Sequence, residues 1–174
     1  MELAAGGQPT RETATGERVL ARAKSILLAS HDTPGGRAAA AAAMDLAGKG
    51  GMIHHLIVVP DFWKGMLGDD WLNNIAVHRR FGRYVENQLE REIAAFGAEI
   101  EAEAGRHGIS YSCTARLGKP AECIAEFFAG GRHDLVVVGS PRPKGVPGYR
   151  SRLAFETLVK RLTVPLMVVP HPGR

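Results

Sequence analysis

The chain has two cysteines, Cys113 and Cys123, among 174 residues. Two cysteines do not make a disulfide framework, and they lack the paired Cys/His spacing of a zinc site. Reduced, packed thiols are expected. No apolar run approaches the roughly 20 residues that a bilayer span requires. The opening MELAAGGQPTRETATGE also lacks the apolar segment of a secretory signal. A cytoplasmic protein with no membrane partner is therefore expected. Walker A and G-x-S-x-G motifs are both absent. Neither a carboxylate pair nor a nucleophile–base–orienter set stands out, which ranks binding above catalysis. The histidines are scattered. His54 and His55 are adjacent in a strand-like segment, so they face opposite sides and cannot chelate one ion together. One of them is expected in the core and the other under a helix. His78, His107, His133 and His171 show no ligand spacing, and no metal is expected.

One absence is local. No acidic residue lies between Gly139 and Leu153, a stretch that carries Arg142, Lys144, Arg150 and Arg152. The whole chain has 22 basic and 18 acidic residues, a formal +4. The excess charge thus equals that of this one segment. A single short basic cluster without interleaved aromatics argues against a general nucleic-acid surface.

What is present reads as one α/β domain over residues 21–174, preceded by a flexible extension over 1–20 that is rich in Gly, Thr, Ala and charge. Short apolar runs predict strands at Ser25–Ser30, Ile53–Val59, Leu135–Val138 and Leu166–Val169, and alternation predicts another at Ile109–Arg116. Helices are predicted over Gly36–Ala47, Ile75–His107, Ala121–Ala129 and Leu153–Leu162. In the longest helix Phe81, Val85, Leu89, Ile93, Phe96 and Ile100 form one apolar stripe. The connection Pro60–Asn74 holds Phe62, Trp63 and Trp71, which either cover a ligand or pack the loop onto the sheet or a dimer partner, and Asp69 and Asp70, which are expected to neutralise the basic loop within one subunit or across a dimer.

Alternating strands and helices predict a five-stranded, doubly wound parallel sheet in the order 3-2-1-4-5. Its switch point lies between strands one and four. The ends of those strands, Ser30-His31-Asp32 and the loop from Gly139, are expected to converge there. Asp32 has a second expected use, capping the turn into the first helix.

The run ILLAS before a small-residue helix, the strand IHHLIVVP, the Gly118-Lys119-Pro120 turn into AECIAEFF, and the ending DLVVVGS…VKRLTVPLMVVP resemble the universal stress protein family. The resemblance covers Lys24 to Pro170. It implies a Rossmann-like fold of the adenine nucleotide alpha hydrolase type and a homodimer joined through the final strand, Leu166 to Val169. It also implies an ATP site of the pattern G-x-x-G, nine residues, then G-[S/T]. Gly139 and Ser140 match the start of that pattern. The second glycine falls at Arg142, Arg152 and Leu153 stand at the closing pair, and the strand-one aspartate falls at His31. Backbone cradling is exchanged for side-chain charge. The expected ligand is a nucleotide, ATP or AMP, or another phosphate-bearing anion. Its expected binding residues are Ser30, His31, Asp32, Val59, Gly139, Ser140, Arg142, Lys144, Gly145, Gly148, Arg150, Ser151 and Arg152. A stress-response regulatory module is expected. The alternatives are a slow ATP-hydrolysing enzyme and an interaction module whose basic loop docks an acidic partner.

Overall fold

The computed structural model describes residues 23–59, 75–145 and 153–173, the side chains of 75–87 excepted. The expected extension over 1–20, Phe62, Trp63, Asp69, Asp70, Trp71, and the loop residues Gly148, Arg150, Ser151 and Arg152 lie outside the described residues. Among the described residues, strands and helices alternate: β1 Ser25–Ala29, α1 Pro34–Ala47, β2 Met52–Val59, α2 Ile75–Arg106, β3 Ser110–Leu117, α3 Pro120–Ala129, β4 Leu135–Gly139, α4 Phe155–Arg161 and β5 Leu166–Val169. The strands form one sheet, ordered β3-β2-β1-β4-β5, with every neighbouring pair parallel. This is the predicted order.

The core divides into two layers because successive strand residues face opposite sides. Ile26, Leu28, Ile53, Ile57, Leu135 and Val137 pack against the alanines of α1 and against Phe96, Ile100 and Ala104 of α2. Leu27, Leu56, Val58, Val136 and Val138 pack against Ala121, Ile124 and Ala125 of α3 and Leu158 of α4. The alanines Ala39, Ala40, Ala43 and Ala47 are almost wholly buried. Their small size lets α1 lie close over the middle of the sheet, where it contacts β1, β2, β4 and β5.

Three local expectations are corrected. Thr33, not Asp32, is the N-cap of α1: its φ of −135° and ψ of 158° are extended, and its hydroxyl accepts the Gly36 N–H at 3.1 Å. Threonine three residues before that amide, with Pro34 in the first turn, sets the start. Asp32 stands one residue too early, and its carboxylate instead takes Arg37 Nε at 2.6 Å. The second correction concerns Cys113, which is exposed rather than packed. It lies on β3, an edge strand whose residues are mostly exposed, with Leu117 61% accessible. Cys123 is buried on α3, as expected. The last helix is also shorter than predicted, beginning at Phe155 after an Ala154 that offers no side-chain cap.

At the opposite edge from the strand ends, Asp134 Oδ2 accepts the backbone N–H groups of Lys24 and Ser25, both at 2.9 Å. This clips the start of β1 to the start of β4. Asp134→Ala leaves both amides to water and is expected to cost about 1 kcal/mol, because exposed donors recover part of their bonding from solvent. Urea unfolding of the variant checks it; unchanged stability would show the clip to be dispensable.

Candidate functional site

In a parallel sheet every strand ends on the same side, and at the switch point the chain leaves β1 and β4 toward opposite faces. A cleft of about 900 Å³ opens there. Of the residues predicted from sequence, Ser30, His31, Val59, Gly139, Ser140 and Arg142 line it. Asp32 does not, being turned to Arg37, and Lys144 and Gly145 are exposed outside the lining.

The cleft also has walls that the sequence did not signal as a site. One is the first turn of α1, through Thr33, Gly35 and Gly36. Another is the entry to α3, through Gly118, Lys119 and Pro120, and an apolar floor includes Leu56, Val58 and Ile124. Leu56 and Val58 share the strand face opposite Val59, so naming Val59 alone did not lead to the floor. His171 also lines the cleft. Nothing in its sequence neighbourhood points there; it arrives because β5 lies beside β4.

Gly139 has a packing reason. A Cβ placed on it would stand 2.7 Å from the Gly35 carbonyl oxygen, so the end of β4 and the first turn of α1 touch through backbone. The Ser140 N–H is already spent on the Val169 carbonyl at 2.7 Å. The Gly139-Ser140 pair therefore does not offer the Ser140 amide to a ligand, and the polar groups left there are side chains. The Ser140 hydroxyl is buried without a hydrogen-bond partner. So is Nε2 of His171, whose Nδ1 accepts the Gly173 N–H at 3.1 Å.

Ser30 is tied to two residues far away in sequence. Its Oγ is 2.9 Å from Nε2 of His55, and Nδ1 of His55 is 2.7 Å from Oη of Tyr111. His55 has no exposed surface. Burial pushes its ring down to about 4, against an opposing hydrogen bond with the Ser30 backbone and with a small further push down from His31. Burial, with Cys113 adding to it, pushes the Tyr111 phenol well above its ordinary value. His31 sits at the exposed mouth of the cleft, yet the protein packed around its ring lowers its pKa by desolvation.

The described charge at the rim is Arg142 and Lys119, the latter 3.4 Å from Glu122, which also lines the cleft. Among the described residues no three His, Cys, Asp or Glu side chains come together so as to hold a metal ion.

A match to the universal stress protein family covers residues 22–170. No curated protein sequence matches the chain. Among solved structures, hypothetical protein MJ0577 is similar over 87% of this chain and 98% of its own, with a TM-score of 0.68 at 18% identity. The universal stress protein UspA from Lactobacillus plantarum matches 86% of this chain and 99% of its own, TM-score 0.53, 16% identity. A universal stress protein in complex with cAMP matches 86% and 98%, TM-score 0.51, 13% identity. At these identities the likeness is one of fold.

Proposed function

The chain belongs to the universal stress protein family, and we propose that it is a non-catalytic stress-response module whose cleft holds a nucleotide or another phosphate-bearing anion. The observation that carries this is the presence of Arg142 in the cleft wall just after Ser140, on the cleft that Ser30 and His31 also line. A guanidinium offers phosphate a fork of N–H donors that an ammonium cannot match. The cAMP complex of a similarly folded protein supports a phosphate-bearing ligand. A hydrolytic role is disfavoured by His55, whose ring, pushed down to about 4, is a weak base for its Ser30 partner. The cytoplasm is the proposed location. The proposed partner is a second copy of the chain, joined through Leu166–Val169. That strand is an edge of the sheet, and it exposes Val168.

Calorimetric titration with ATP, AMP and inorganic phosphate tests the anion site. Arg142→Ala/Arg152→Ala is expected to bind the preferred ligand at least about tenfold more weakly, the worth of one lost charged hydrogen bond. Absence of binding at millimolar ligand, or equal binding by both proteins, would remove the proposal. Incubation with ATP and magnesium is expected to release no more ADP or AMP than this variant does.

A further inference from the structure

We propose that His171 is a ligand-binding residue of the cleft, and that its Nε2–H, together with the Ser140 hydroxyl, takes a phosphate oxygen of the ligand at the first turn of α1. This rests on the proposed occupancy of the cleft by a phosphate-bearing ligand. It adds a contact from beyond β5 that the loop after β4 does not supply.

A group that can only donate fixes the polarity of the ring. The Gly173 backbone N–H donates to His171 Nδ1 at 3.1 Å. Nδ1 therefore carries the lone pair, and the one ring hydrogen is on Nε2. That nitrogen is buried with no hydrogen-bond partner, and the whole residue is only 7% exposed. The Ser140 hydroxyl is a second buried group without a partner. Buried donors left unpaired are costly, and folded proteins keep few of them.

Both groups gather around Gly35. Cδ2, the ring atom bonded to Nε2, lies 3.4 Å from where a Cβ on Gly35 would stand, and the Ser140 carbonyl lies 3.5 Å from the same point. The other edge of the ring, Nδ1 and Cε1, is turned to Gly173. His171, Ser140 and Gly35 all line the cleft. Gly35 belongs to the first turn of the 14-residue α1, a turn with no acidic residue to compete for the site. Within that turn Pro34 has no N–H, Thr33 Oγ1 takes the Gly36 amide, and the Thr33 carbonyl takes that of Arg37. Among the described residues nothing takes the Gly35 amide. Two unpaired side-chain donors and an unspent amide at the positive end of a helix suit the oxygens of an anion. Residues 170–173 follow β5 and belong to no strand or helix, so a shift of that segment admits the oxygen and leaves the sheet intact.

Two measurements test this. The first is histidine-¹⁵N NMR of the wild-type protein during titration with AMP and with inorganic phosphate. His171 is expected as the Nε2–H tautomer before ligand is added, and its Nε2 resonance is expected to move as either ligand saturates. An Nδ1–H tautomer, or saturation that leaves this resonance in place, overturns the inference without any substitution and leaves the proposed function standing. Calorimetry with the same two ligands is the second. His171→Phe keeps a flat ring without the donor and is expected to bind both about tenfold more weakly, the value of one hydrogen bond to a charged acceptor. His171→Gln carries an N–H donor at a similar reach and is expected to restore most of that affinity. Ser140→Ala is expected to lose about as much as His171→Phe. A loss in His171→Gln as large as in His171→Phe shows a packing role and overturns the inference. Failure of the wild type to bind either ligand overturns both this inference and the proposed function.

Discussion

Stability to urea is expected to fall by about 3 kcal/mol as the pH is lowered from about 6.5 to about 4, with His55 as the main source. Its ring is held down to about 4 in the folded protein against an ordinary 6.5. Between those values the unfolded chain binds a proton that the native protein refuses, so stability rises with pH across the window. It is fully present above 6.5 and stops changing, for this group, below 4. Burial is the leading cause: His55 lies between Ser30 and Tyr111, with the Phe96 ring edge-on at 5.4 Å. The lowered rings of His31 and His133 act with the same sign. Glu99, held down by Arg37, loses its contribution only further toward acid. His55→Gln keeps a donor and an acceptor but no titrating ring, so its stability curve is expected to be flatter than wild type by most of that amount. Parallel curves for the two proteins would show that another group carries the dependence.

Two adjacent glycines at the cleft are expected to respond very unequally to alanine. A Cβ on Gly36 would stand 1.9 Å from the His31 carbonyl oxygen and 3.0 Å from its backbone nitrogen, all within the tight β1–α1 turn. The obstacle is backbone, which cannot swing aside. Gly36→Ala is expected to cost about 3 kcal/mol, at the upper end for overpacking. In a chain of this size that lowers the melting temperature by about 6–12 °C. A Cβ on Gly35 meets only the His171 side chain at 3.4 Å and the Ser140 carbonyl at 3.5 Å. Both are close to ordinary contacts, and alanine is the better helix former. Gly35→Ala is expected to stay within about 1 kcal/mol of wild type. Comparable melting temperatures for the two variants would mean that the β1–α1 turn relaxes easily. The same pair separates stability from binding, since both residues line the cleft.

Much of the architecture was legible along the chain because it depends on near-neighbour patterns. Continuous apolar runs such as Leu135–Val138 mark strands covered on both faces, and the alanine run of α1 marks a helix that must lie close to them. Alternation with helices then leaves few topologies, and the order β3-β2-β1-β4-β5 followed. The convergence of Ser30, His31, Gly139, Ser140 and Arg142 on one cleft is a consequence of that order. The sequence reading placed the cap at Asp32, one residue early, because both residues can cap and only the built turn shows that Thr33 takes the role.

What only the tertiary structure decided are contacts between residues that share no local pattern. Gly139 follows an apolar strand and precedes a proline-rich loop, which suggested a phosphate cradle. Its close approach to Gly35 shows a glycine required by helix packing. His55 gave no sign in sequence of being more than a core histidine, because its partners lie 25 residues before it and 56 after it. Contacts of that kind join strands that are distant along the chain, and periodicity carries no record of them. Sequence alone determined the sheet, its order and the edge where a ligand would sit. Folding decided which side chains line that edge and which of them bond to one another, because both follow from residues brought together across strands.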